Sequence, residues 1–125
     1  MKTVIVEAKW KKDLSHKAYS LFPDLISDGG WGNGYVVLDK DHPWYGKHYN
    51  NIPVDIHGGL TYSEYIDEKD LDHFNLENED IGKYIIGFDT FHTGDTEEKW
   101  TKEAVQEEAN RLLRQCQTNN ILKKI

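Results

Sequence analysis

Apolar and polar positions along this chain follow two different periods. Thr3–Ala8 carries Val4, Ile5 and Val6 in a β-branched row, which predicts a strand. Tyr35–Leu38 predicts another, and Lys83–Phe91, "KYIIGFDTF", a third. Val54–Ser63, "VDIHGGLTYS", also reads as a strand, with Gly58–Gly59 as its bulge or bend. From Trp100 to Asn119 the period lengthens to that of a helix. Val105, Ala109, Leu112 and Cys116 fall on one apolar stripe, and Leu113 widens it. Thr101 suits its N-cap, Glu103 its first turn, and Arg111 and Arg114 its C-terminal half.

The intervening segments are less regular. Leu14, Ala18, Leu21 and Leu25 have helical spacing, but Pro23 interrupts it, so Asp13–Ile26 predicts only a short helix ending near Leu21. Four glycines within residues 29–34 predict a tight or mobile turn. Residues 39–51 form a polar, aromatic loop broken by Pro43 and Gly46. Residues 64–80 hold eight acidic side chains and one lysine, the composition of a solvated connection with room for a short helical turn. The pattern predicts an α+β fold: a small, mostly antiparallel sheet of three to five strands packed against a C-terminal helix. A length of 125 residues predicts one domain, 1–125, around one core.

Charge narrows the partners. The formal net charge is −7, which argues against a nucleic-acid groove and leaves room for a basic surface on another protein. Cys116 is the single cysteine, so neither a disulfide framework nor a thiolate zinc cluster is expected. No apolar run approaches the ~18 residues of a membrane span, so no membrane partner is expected. The N-terminus is too charged for a signal peptide, which predicts a cytoplasmic protein.

Three segments carry groups capable of chemistry. In a strand, Asp55, His57 and Gly59 share one face, and Val54, Ile56 and Gly58 the other. A carboxylate and an imidazole followed by missing side chains resemble the wall of a small pocket. "GFDTFHTGD" repeats the theme with Asp89, His92 and Asp95 beside glycines. If the two strands are neighbours, His57, Asp89 and His92 converge. "DHPWYGKHYNN" adds His42 and Trp44 among other rings. The same residues also serve structure: Asp and His at strand ends cap turns, and a glycine pair can mark only a bulge.

Segments "GYVVLDKDHPWYGK", "VDIHGGLTYS" and "YIIGFDTFHTGD", followed by a helix, resemble a set of small uncharacterised bacteriophage and mobile-element proteins. The resemblance spans roughly residues 34–116 and excludes the first 30 residues and the acidic connection. It implies a phage-type origin, hence the host cell cytoplasm, and little mechanism, because the family carries no established activity.

Three functions follow, in order. The first is binding or sequestering a small, nucleotide-like molecule to counter host defence. His42, Trp44, Gly58, Gly59, Thr61 and Tyr62 would line the pocket, with His57, Asp89 and His92 at its centre. The second is a hydrolase-like enzyme in which His57 or His92 acts as general base, oriented by Asp89 or Asp55. No cofactor is identified; His57, Asp89, His92 and Asp95 are the right types to ligate a divalent metal. Their spacing is not a specific metal signature, and no HExxH, P-loop or GxSxG motif is present. The third is an acidic inhibitor that mimics nucleic acid against a host protein, through residues 64–80.

Overall fold

The computed structural model describes residues 1–8 and 29–123, so the short helix expected within Asp13–Ile26 lies outside the described residues. Four strands, β1 (Lys2–Glu7), β2 (Gly32–Leu38), β3 (Tyr62–Tyr65) and β4 (Tyr84–Phe88), form one sheet in the order β1-β2-β4-β3. Every pairing is antiparallel. Helix α1 (Asp70–Phe74) lies between β3 and β4, and α2 (Lys102–Lys123) ends the described chain. This is the α+β architecture that the two periods predict. Among the described residues, no helix is long and apolar enough to cross a membrane.

Helix α2 and the sheet share one core. Val36, Leu38, Tyr84, Ile86 and Phe88 face the helix stripe of Val105, Ala109, Leu112 and Cys116, all buried. Burying each Val, Leu, Ile or Phe contributes about 1.5–3 kcal/mol, so this seam dominates the stability of the helix. Thr101 caps α2 as expected, its hydroxyl accepting from the Ala104 N–H at 3.1 Å.

The other face of the sheet is also covered, by the acidic segment. Tyr35, Val37 and Ile85 pack against Ile66, Phe74 and Leu76. Residues 64–80 are therefore more than a solvated connection. Most of their charges are exposed, while Ile66, Phe74 and Leu76 are buried together with one charge, Asp80. Asp80 takes the Lys2 ammonium at 2.7 Å and the Glu77 N–H at 3.0 Å, which joins this segment to β1.

Two expectations are corrected. The glycine run was expected to be a turn, but Gly32 and Gly34 belong to β2. A Cβ on Gly34 would run into the Phe88 ring, and one on Gly87 into Tyr35. Those residues are register partners: Gly34 opposes Phe88 and Tyr35 opposes Gly87. Each glycine is thus the seat of an aromatic ring across the ladder, which compensates the weak strand propensity of glycine. The second correction concerns Val54–Ser63, of which only the last two residues lie in a strand. Gly58 and Gly59 have φ of 69° and 76°, and the Gly59 N–H donates to the Ile56 carbonyl at 3.0 Å, closing a turn. The segment's backbone finds partners on α2 instead of a strand. The Gln115 amide bonds both the N–H and the C=O of Asp55, each at 2.8 Å. Glu108 accepts the His57 N–H at 2.8 Å. Two helix side chains thus satisfy donors that a ladder would otherwise take.

Candidate functional site

The pairing of β3 with β4 decides where the site lies. Tyr62 opposes Gly87, so the chain entering β3 and the chain leaving β4 share one end of the sheet. His57 sits on the first of these segments, and Asp89, His92 and Asp95 on the second. Helix α2 begins beside them, with Trp100 just before its first turn.

Asp95 is the centre. It is 5% exposed, and its carboxylate meets His57 Nε2 at 2.9 and 3.0 Å and His92 Nδ1 at 3.0 Å. The His92 N–H donates to the same carboxylate at 2.9 Å, while the Asp95 N–H donates back to the His92 carbonyl at 2.9 Å. That reciprocal turn fixes His92 and Asp95 as one unit. Burial pushes the Asp95 carboxyl up, but the hydrogen bonds from His57 and from the backbone and ring of His92 reverse this. The group stays below the ordinary carboxylate value, ionised between two imidazoles. With an ionised acceptor between them, Nε2 of His57 and Nδ1 of His92 each carry the donated hydrogen.

Packing fixes both rings. His57 stacks on Trp100 with centroids 4.2 Å apart and planes at 34°. His92 stands edge-on to His57, at 5.1 Å and 88°. Its ring lies against Gly58, where any Cβ would overlap the imidazole. Asp89 approaches His92 Nε2 at 3.4 Å and also accepts the Phe91 N–H at 3.0 Å, so it organises the turn as well. Both imidazoles are partly open, 27% and 35% exposed.

An open depression of about 300 Å³ adjoins the cluster, lined by Lys99, Trp100, Glu107, Glu108, Arg111 and Arg114. Trp100 belongs to both, stacking on His57 and lining the depression. Arg111 bridges Glu108 and Asp55, each at 2.9 Å, which ties the His57 segment to α2.

The residues singled out from the sequence therefore divide. His57, Gly58, Asp89, His92 and Asp95 come together, and three of them, His57, His92 and Asp95, bring ligand atoms within 4.8 Å of one another. Asp55 is 94% exposed and pairs with Arg111 rather than with a histidine. Gly59 has φ of 76° with open space beside it. His42 and Trp44 are buried toward the far half of α2. His42 Nδ1 accepts the Trp44 N–H at 3.0 Å, and Nε2 donates to the Cys116 carbonyl at 2.8 Å. Thr61 is exposed and extends the ladder through the Gly87 carbonyl at 2.9 Å. Tyr62 packs edge-on to Tyr35, on the sheet face opposite α2. Trp100, Glu108 and Arg111 carried no functional signal in the sequence. In the sequence Arg111 reads only as a cation in the C-terminal half of the helix, and Trp100 as the edge of that helix. No family model, curated protein or solved structure matches the chain.

Proposed function

We propose that this protein binds a small, planar, anion-bearing molecule of the nucleotide type in the depression beside Trp100, with the His57–His92–Asp95 cluster at its rim. Trp100 carries the reading, because its ring braces His57 and the same residue lines the adjoining space. A flat π-face accepts a base by stacking, and Lys99 and Arg114 supply cations for its anionic end. The resemblance to phage-type proteins extends the proposal to a role in which the ligand is a host signalling nucleotide. Native mass spectrometry of the purified chain, titrated with a nucleoside monophosphate and with a cyclic dinucleotide, tests it. A one-to-one adduct with either probe that disappears in Trp100→Ala is the expected result. No adduct with either probe overturns it.

A second reading is hydrolysis. Asp95 holds His57 through Nε2, which leaves Nδ1 to take a proton from an attacking water. Turnover of bis-p-nitrophenyl phosphate that is lost in His57→Ala would support this reading. Equal rates in the two proteins would remove it.

A further inference from the structure

We infer that His57, His92 and Asp95 form a site for one divalent first-row transition ion of the zinc class. The first ground is the separation of the ligand atoms. Zinc bonds nitrogen and carboxylate oxygen at about 2.0–2.2 Å, so two ligands of one tetrahedral ion lie about 3.3–3.6 Å apart. Asp95 already lies 2.9 Å from His57 Nε2 and 3.0 Å from His92 Nδ1. All three ligand atoms fall within 4.8 Å. An approach of about 1 Å by the two partly exposed rings closes the remaining edge around such an ion.

The second ground is the direction of the rings. They stand at 88° to each other, and both nitrogens aim at one buried carboxylate. In place of two N–H donors, a single cation satisfies the carboxylate and both ring nitrogens together. The site is open on the solvent side, where the imidazoles are 27% and 35% exposed. Three protein ligands with an open position describe a metal that binds a further molecule, rather than a closed structural site.

The surroundings of the three ligands are the third ground. Asp89 Oδ1 lies 3.4 Å from His92 Nε2, the nitrogen opposite the inward one. A carboxylate in that position holds a ligating histidine in the correct tautomer and raises its basicity. Asp89 is then a positioning residue, not the fourth ligand that its residue type suggested. Trp100 braces His57, and the absence of a Cβ on Gly58 admits His92. Two imidazoles and one carboxylate suit zinc, cobalt, nickel or iron(II). The all-oxygen preference of calcium and magnesium is not met. The inference stands on the ligand geometry alone and does not require the nucleotide reading.

The test is calorimetric titration of the full chain with zinc chloride after dialysis against EDTA, with cobalt(II) absorption as the second readout. One ion per chain is expected, with a tetrahedral or five-coordinate cobalt spectrum. Asp95→Asn and His92→Gln should each weaken binding at least 100-fold, whereas His48→Gln, on a remote exposed histidine, should not. Asp89→Asn should keep the stoichiometry and weaken affinity by about 10–100-fold. If Asp95→Asn fails to fold, the partly exposed His92 variant carries the test. Absence of stoichiometric binding in the parent chain overturns the inference, as does undiminished binding in His92→Gln. Nucleotide titration in EDTA keeps the outcome separate from that of the ligand proposal.

Discussion

The His57 imidazole and the Asp95 carboxylate meet at 2.9 Å across 38 residues of sequence. Neither lies in a strand or a helix. They meet because β3 enters and β4 leaves the sheet at the same end, and because two local turns aim the side chains at each other. His57 and His92 together direct four hydrogen bonds onto one buried carboxylate.

Replacing that carboxylate exposes how much depends on it. Asp95→Asn keeps the volume but removes the charge, and the amide turns a donor toward donors. A buried hydrogen bond to a charged group is worth roughly 1.5–3 kcal/mol, so the variant should lose about 2–3 kcal/mol against urea. Imidazole nitrogen NMR should show both His57 and His92 released from their single tautomers. Unchanged spectra for the two rings would mean that Asp95 does not hold them.

The two adjacent glycines should behave differently. Both have positive φ, which penalises any side chain by roughly 1 kcal/mol. Only at Gly58 would a Cβ also strike the His92 ring; Gly59 has nothing within 4 Å. Gly58→Ala should therefore lose more stability than Gly59→Ala, and only Gly58→Ala should displace the His92 resonances. Equal losses in the two variants would argue that backbone conformation is the sole reason for glycine here.

Glu108 connects the site to the helix. It accepts the His57 N–H at 2.8 Å and holds Arg111 at 2.9 Å. Glu108→Ala frees the first and leaves Arg111 with Asp55 alone, a pair that is too exposed to anchor a loop. Amide exchange at His57 should accelerate about tenfold or more, for a bond worth about 1.5 kcal/mol. The core of α2 at Leu112 should exchange as before. Protection at His57 that survives the substitution would assign the loop's order to Gln115.

How far the sequence discloses this depends on the kind of signal. The stripe from Val105 to Cys116 and the β-branched runs are periodic, and period survives in any context. The "VDIHGGLTYS" segment misleads because alternation alone cannot show that Gln115 and Glu108 would replace a neighbouring strand. Alternation alone puts Asp55 and His57 on one strand face, yet Asp55 faces solvent while His57 turns to Asp95. Gly32 and Gly34 mislead in the opposite sense. Only the register opposite Phe88 shows that a ring occupies the place of the missing side chain. The convergence of His57, Asp89 and His92 was conditional on two segments being neighbours, which composition cannot decide. Trp100 was invisible as a site residue because its partner lies 43 positions away in a turn.

Asp80 supplies a pH test away from the site. Burial pushes its carboxyl up, but Lys2, the Glu77 N–H and Lys83 outweigh this and hold it below the ordinary value of 3.8. The unfolded chain therefore takes up a proton at higher pH than the folded one. The stability from Asp80 is fully present above 3.8 and is lost as the pH falls below it toward the depressed value. At neutral pH, Asp80→Asn should cost about 3 kcal/mol, the lower end for opening a buried charge pair, because Lys2 is partly exposed. Urea unfolding of both proteins should show that difference shrinking as the pH falls below 3.8, as the parent carboxylate is protonated. A difference that stays constant to the lowest pH would mean that Asp80 acts through shape and neutral hydrogen bonds, and that its charge contributes nothing to joining β1 to the acidic segment.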